Sequence, residues 1–118
     1  MDRDEIISGF LLELRRGTIV LCVLAKLQEP TYGYSLIAQL ADTGITIEAN
    51  TLYPLLRRLE SQGLLNSTWN TEGAKPRKYY RITALGREVF TALKEHWQGL
   101  VAQMNTVLED TEDSTHGQ

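Results

Sequence analysis

Cysteine and histidine are scarce in this 118-residue chain, and their scarcity limits the chemistry that the protein can perform. The single cysteine, Cys22, lies in an apolar run, so an internal disulfide and a cluster of thiolate metal ligands are both excluded. The two histidines, His96 and His116, accompany no Ser-His-Asp arrangement, no phosphate-binding glycine loop and no metal-ligand spacing. We therefore predict that the protein is not an enzyme and that it holds no metal or other cofactor.

Long apolar runs are also missing. No apolar stretch reaches the ~20 residues that a helix needs to cross a bilayer. The first five residues are mostly acidic, unlike the basic start of a secretory signal peptide. We therefore expect one compact cytoplasmic domain without membrane association.

Acidic and basic residues are sorted along the chain, although the formal net charge is only −3. Residues 50–87 hold seven basic and two acidic groups, whereas the segments on either side are acidic. Binding to phosphates depends on the local field of a clustered basic face rather than on the charge of the whole chain. The segment 50–87 is therefore the candidate nucleic-acid surface.

Apolar periodicity predicts three helices in the first half of the chain, over residues 4–28, 31–44 and 48–63. Gly17 is expected to bend the first helix or to split it in two. Pro30 ends that helix, because the residue before a proline is disfavoured in the α region. Thr31 is then expected to cap the second helix, which stops near Gly44.

A β-hairpin and a last helix are predicted in the second half of the chain. The strand-like runs 64–69 and 78–82 would form the hairpin, with a loop over residues 70–77. Thr83 is expected to cap the last helix, which ends near Asp110. The predicted fold is mainly α with a small β-hairpin (α+β). Its parts are a winged helix-turn-helix at 1–82, a C-terminal dimerisation helix at 83–110 and a disordered tail at 111–118.

The third predicted helix carries side chains that suit a DNA major groove. Asn50, Tyr53 and Arg57 recur at spacings of three and four, which places them on one exposed stripe, with Thr51 and Arg58 beside it. Asn pairs well with adenine and Arg with guanine, and hydroxyl groups reach phosphates or base edges. The alternative for this stripe alone is a solvated helix face.

The hairpin loop supplies a second basic element at the position of a wing. Lys75, Arg77 and Lys78 are predicted to lie along phosphates or to enter a minor groove. A winged helix that binds another protein instead of DNA remains the alternative, although such a module needs no basic wing. The sequence does not separate repression from activation.

Four motifs in this order resemble the PadR family of bacterial transcriptional regulators. They are Gly33-Tyr34, the run TLYPLLRRLE at 51–60, GLL at 63–65 and RKYYRIT at 77–83, and the resemblance covers about residues 17–100. It implies a winged-helix homodimer that represses transcription from a roughly palindromic double-stranded operator. The single C-terminal helix is similar to that of the short subfamily.

An apolar stripe along the last helix favours the same dimer. Apolar residues recur there every three or four positions, over more length than the winged helix is expected to cover. The N-terminal helix of a second copy is the expected partner surface. The predicted dimer interface comprises Ile6, Phe10, Leu93, Trp97, Leu100, Val101, Met104 and Leu108.

Trp97 has two interpretations. In drug-sensing short members of the resembled family, a tryptophan on this helix lines a cavity at the dimer centre and stacks on flat aromatic ligands. The resemblance thus implies an effector site for a small planar aromatic ligand at Trp97, His96 and Phe10. The alternative is that Trp97 only packs in the dimer interface.

Overall fold

The computed structural model describes residues 1–116, which form five helices and three short strands. In chain order these are α1 (Arg3–Arg16), α2 (Thr18–Lys26), β1 (Thr31–Tyr32), α3 (Gly33–Asp42), α4 (Ala49–Ser61), β2 (Leu65–Asn70), β3 (Arg77–Ile82) and α5 (Ala84–His116). The architecture is a winged helix-turn-helix followed by one long helix, so the predicted mainly α fold with a small β-hairpin is confirmed. Within the described residues, no helix combines the length and apolarity needed to span a membrane.

The first predicted helix is divided at Gly17, and its two halves have different surroundings. The Asp2 carboxylate caps α1 by accepting a hydrogen bond of 2.8 Å from the Glu5 backbone N–H. No residue of α1 is buried, whereas Val23 and Leu24 of α2 are completely buried. The core therefore begins at α2, and the apolar side chains of α1 face outward.

The wing hairpin belongs to a three-stranded antiparallel sheet with the order β1-β3-β2, because β1 adds two residues to its edge. The prediction that Thr31 caps the second helix is wrong. Thr31 is buried in β1, where it pairs with Tyr80, and its hydroxyl donates to the Glu29 carbonyl oxygen. The pairing with β3 holds Thr31 in the extended conformation, so α3 begins two residues later without a side-chain cap.

The core joins α2, α3, α4 and the sheet. Its buried apolar residues are Val23, Leu24, Leu27, Leu36, Leu40, Ile47, Leu52, Leu56, Leu59, Leu65, Tyr80 and Ile82. Gly44 and Gly63 follow α3 and α4 with φ of 91° and 81°, left-handed conformations that side-chain-bearing residues adopt only with strain. Both predicted helix stops are thus confirmed. Cys22 packs against the core, and burial raises the pKa of its thiol, which keeps it neutral.

The last helix begins as predicted and continues further than predicted. The Gly86 backbone N–H donates to the Thr83 hydroxyl oxygen over 2.9 Å, and that hydroxyl donates to the Gly63 carbonyl oxygen over 2.7 Å. The predicted end at Asp110 is wrong, because α5 continues to His116 and residues 111–116 are helical rather than disordered. Residues 111–116 contain neither glycine nor proline, the residues that most disfavour a helix. Residues 117 and 118 of the predicted tail lie outside the described part of the chain.

Replacing Gly86 by alanine is expected to destabilise the protein by about 1 to 3 kcal/mol, although alanine favours helices. A Cβ atom at this position would collide with the Leu64 carbonyl oxygen and would lie 2.6 Å from Ile82 Cγ1. Gly99→Ala is the matched control on the same helix, because its Cβ would meet nothing within 4 Å. Thermal or urea unfolding should give a lower stability for Gly86→Ala only. Equal stability of the two variants would contradict the predicted collision.

Candidate nucleic-acid interface

Helix α4 presents a polar side opposite its buried leucines. Leu52, Leu56 and Leu59 are buried, and this spacing turns the intervening positions toward solvent. The exposed polar residues on the other side are Asn50, Thr51, Arg57 and Arg58. The structure therefore places these four predicted site residues on an accessible helix surface.

Tyr53 is less exposed than the predicted stripe requires. Its ring lies against Gly33 at the start of α3, where a Cβ atom would lie 2.5 Å from Tyr53 Cζ. The Tyr34 ring packs edge-on against it, with 6.4 Å between the ring centroids. Burial raises the pKa of the Tyr53 hydroxyl, with smaller contributions from Tyr34 and Tyr80. The expectation of a freely exposed Tyr53 is corrected, since the absence of a side chain at Gly33 leaves space for the ring.

The wing consists of β2, β3 and the loop 71–76, close to the predicted hairpin. Lys75 is exposed in the loop, and Arg77 is exposed at the start of β3. The Arg77 guanidinium carbon lies 4.6 Å from the centroid of the Tyr32 ring, which is close enough for a cation–π contact. Tyr32 in turn packs edge-on against Tyr79. These contacts hold the Arg77 guanidinium against the Tyr32 ring and leave Lys75 in solvent.

Lys78 is in a different setting from the other two wing cations. It lies within β3, half-buried, with its ammonium 3.5 Å from the Glu60 carboxylate and 5.3 Å from the centroid of the Tyr80 ring. Lys78 thus lies in the predicted strand 78–82 rather than in the loop with Lys75, and its ammonium is engaged in an ion pair. Its partner, Glu60, lies at the end of α4, and the sequence pattern did not identify this contact between helix and wing.

Elements distant in sequence meet around one open cleft between α4, the start of α3 and the wing. The residues lining it are Tyr32, Gly33, Tyr34, Tyr53, Trp69, Lys75, Pro76, Arg77 and Lys78. Tyr34 and Trp69 are largely exposed there, and neither was predicted as a site residue. No sequence signal identified Trp69, because alternation from buried Leu65 places it on the core-facing side of β2, and its exposure arises only because the hairpin extends beyond the core. The cleft combines three cations with aromatic rings and includes Tyr53 of α4.

The predicted dimer and effector residues occupy a second region. Ile6 and Phe10 lie in an apolar groove along α1, while Leu93, Trp97, Leu100, Met104 and Leu108 are exposed on α5, with Val101 half-buried. Trp97 is 44% exposed, so one copy of the chain does not enclose it. His96 lines a shallow depression with Glu95 and Gly99. Among the side chains that the structure describes, those of residues 1–111, no group of three histidine, cysteine or acidic residues is placed to hold a metal ion.

Comparison with known proteins relates this architecture to one family. The model of the "Transcriptional regulator PadR-like family" matches residues 20–92. A crystal structure of a PadR family transcriptional regulator from Eggerthella lenta has a TM-score of 0.85 and 57% identity, and the match covers 90% of this chain and 95% of that one. A PadR-like transcription factor from Bacteroides fragilis has a TM-score of 0.69 and 32% identity, with coverage of 84% and 98%.

Curated relatives agree with the structural comparison. A transcriptional regulator of Mycobacterium tuberculosis is 34% identical over 80 residues, which are 67% of this chain and 75% of the relative. An uncharacterised protein of Lysinibacillus sphaericus is 30% identical over 117 residues, covering 95% of this chain and all of the relative. The family model spans more than half of the chain and agrees with the winged helix described above. This chain belongs to the PadR-like family of transcriptional regulators.

Proposed function

We propose that this regulator binds double-stranded DNA as a homodimer, recognises a palindromic operator through α4 and represses transcription by occupying it. The observation that carries this proposal is the cleft in which Lys75, Arg77 and Lys78 of the wing lie beside Tyr53 of α4. Two basic elements, α4 and the wing, lie in one basic segment of an otherwise acidic chain, which matches the electrostatic requirement for binding a duplex.

In this proposal, helix α4 contacts the DNA bases. Asn50 and Arg57 are exposed and stand two turns apart, so both can enter one major groove. The Asn50 amide matches the N6 and N7 edge of adenine, and the Arg57 guanidinium matches O6 and N7 of guanine. Thr51 and Arg58 lie to one side and contact phosphates, and Tyr53 offers its hydroxyl from the other side.

The wing contributes affinity rather than sequence preference. Lys75 and Arg77 are exposed beside the cleft and contact phosphates, with Lys78 behind them. Glu72 in the same loop opposes phosphate binding by its charge. The net effect of the wing remains attractive, because Lys75, Arg77 and Lys78 outnumber this acid.

The proposed dimer is supported by the apolar surface that a single copy of the chain exposes to solvent. Phe10 is 66% exposed and Leu100 is 53% exposed, on helices that extend away from the core. Exposed apolar faces of this extent mark an interface. A twofold arrangement buries the same faces of both copies and presents two α4 helices to two half-sites.

The first test is binding of the purified protein to DNA upstream of its own coding region, with an unrelated duplex of equal length as control. We expect preferential binding to the upstream duplex and a steep loss of affinity with added salt. Transcription from that promoter in vitro should fall as the protein is added. Absence of binding to either duplex at low salt would favour the alternative, a winged helix that contacts another protein.

Substitutions in the wing are expected to weaken all DNA sequences alike. Lys75→Ala and Arg77→Ala should each reduce the slope of log affinity against log salt concentration by about 1, because each removes one phosphate contact. Arg3→Ala removes a charge of the same sign from exposed α1, far from this cleft in sequence, and serves as control. Fluorescence anisotropy at several salt concentrations measures the slopes. A loss confined to particular operator sequences would contradict a phosphate role for the wing.

A planar aromatic effector is the second part of the proposal, supported by the partial exposure of Trp97. The acids available to a cationic ligand are Glu13, which lines the α1 groove with Phe10, Glu95 beside His96, and Glu5 on α1. Trp69→Phe leaves Trp97 as the only tryptophan, so its fluorescence can be followed alone. In the absence of DNA, we expect saturable quenching of Trp97 fluorescence by ethidium.

The complementary variant, Trp97→Phe, retains Trp69 and should show no saturable quenching. A linear, unsaturable response in both variants would show that Trp97 only packs in the dimer interface. This test is independent of the DNA experiment, since it reports on α5 rather than on the wing.

A further inference from the structure

One carboxylate connects α4 to both strands of the wing. Glu60 lies at the end of α4, three positions beyond Arg57, and its side chain is 32% exposed. Its Oε2 atom accepts a short hydrogen bond from the Ser67 hydroxyl of β2, and its Oε1 atom lies 3.5 Å from the Lys78 ammonium of β3. We refer to Glu60, Ser67 and Lys78 as the clamp.

The strand register explains why the clamp can form. Ser67 is paired with Tyr80, and Lys78 precedes Tyr80 by two positions, so all three side chains share the sheet face that Glu60 approaches. The Tyr80 ring is buried beneath the Lys78 ammonium. Glu60 thus lies between a hydroxyl donor and a cation whose position is set by the core.

The clamp lies at the boundary between the buried part of the wing hairpin and its exposed part. In β3, Tyr80 is buried, Lys78 is half-buried and Arg77 is exposed, while in β2 burial ends at Ser67. The wing loop extends beyond this point into solvent. An interaction at the exit of the hairpin acts on the first residues that the core no longer holds, so it sets the direction in which the loop extends.

We infer that Glu60 is a positioning residue for DNA binding, which sets the wing at a fixed distance and angle from the base-contacting side of α4. This inference rests on the proposed function. Simultaneous contacts with a groove and with phosphates reinforce each other only if the two elements are held at the spacing that the duplex requires. The clamp supplies that spacing, and Lys78 acts through Glu60 rather than as a free phosphate ligand.

A rival explanation assigns Glu60 a purely electrostatic effect, in which an acid on a basic face repels phosphates. The two explanations predict different results for the ratio of operator affinity to unrelated-duplex affinity. Removing a repelling charge strengthens binding to both duplexes and leaves the ratio unchanged. Loosening the wing lowers the ratio, because α4 and the wing then engage DNA independently.

The test compares Glu60→Gln and Glu60→Ala with Glu72→Gln. Glu72 is an exposed acid of the wing loop, so its amide variant makes the same charge change outside the clamp. We expect Glu72→Gln to strengthen binding to both duplexes without changing the ratio. Glu60→Ala should lower the ratio about tenfold, and Glu60→Gln, which keeps an acceptor for Ser67, should lower it less. An unchanged ratio for both Glu60 variants would overturn the inference.

A second measurement reports on the clamp without DNA. Trp69 lies opposite Lys78 in the hairpin register, whereas Trp97 lies on α5. With 5-fluorotryptophan incorporated, Glu60→Gln should shift and broaden the fluorine resonance of Trp69 and leave that of Trp97 unchanged. Lys78→Met should change the Trp69 resonance in the same way. The double variant Glu60→Gln/Lys78→Met should change this resonance little more than either single variant does. An unperturbed Trp69 resonance would overturn the inference even if DNA binding changes. If the unmodified protein binds neither duplex, the proposed function fails independently of this result.

Discussion

Leu100→Glu is expected to convert the proposed homodimer into monomers and to lower operator affinity by about 10²- to 10⁴-fold. Leu100 is 53% exposed on α5, within the proposed apolar interface. A carboxylate at this position would have to lose its hydration to enter the interface, and the twofold axis would bring a second one into the same interface. Without the dimer, the two α4 helices bind half-sites separately, and the advantage of a linked second contact is lost.

Ala102→Glu provides the matched control for this experiment. Residue 102 is exposed and lies two positions beyond Leu100, which places the added carboxylate on the other side of the same helix. Sedimentation equilibrium at micromolar concentration should show a dimer for Ala102→Glu and a monomer for Leu100→Glu. Both variants should retain the unfolding cooperativity of the winged helix, because neither position belongs to its core. A dimeric Leu100→Glu protein would refute the proposed interface.

The elements of this fold were largely predictable because their signals are local. The leucines of α4 recur at helical spacing, glycines with left-handed φ end α3 and α4, and Thr83 caps α5. Strand β1 was missed because its two residues adopt their conformation through pairing with β3, which is distant in sequence. The Thr31 hydroxyl resembled a helix cap for the same reason: a pattern of neighbours cannot show a long-range pairing.

The candidate site was predictable to a different degree at each position. The exposure of Asn50 and Arg57 follows from the position of the leucines, and the structure agrees with it. The partial burial of Tyr53 depends on Gly33, and the ion pair of Lys78 depends on Glu60, so both require tertiary contacts that periodicity does not contain. The end of α5 was misjudged because a polar composition was taken to indicate disorder, although nothing in residues 111–116 interrupts a helix.

Arg57→Ala is expected to weaken operator binding by about 1 to 3 kcal/mol, with most of the loss at a single base pair of each half-site. Arg57 is exposed on the side of α4 opposite Leu52, Leu56 and Leu59, and the structure gives its guanidinium no ion pair among the described residues. A guanidinium that is free in the unbound protein can form two hydrogen bonds to a guanine without first breaking others. Its removal should therefore cost recognition energy without destabilising the fold.

Arg58→Ala separates base recognition from simple charge loss. The two arginines carry the same charge and are adjacent on α4, but they point about 100° apart around the helix axis. Competition against operators substituted at each position should show that Arg57→Ala no longer discriminates at one base pair, while Arg58→Ala weakens all sequences similarly. If both variants lose affinity uniformly, then α4 contributes only phosphate contacts, and sequence preference must come from the shape of the DNA or from the cleft aromatics Tyr34 and Trp69.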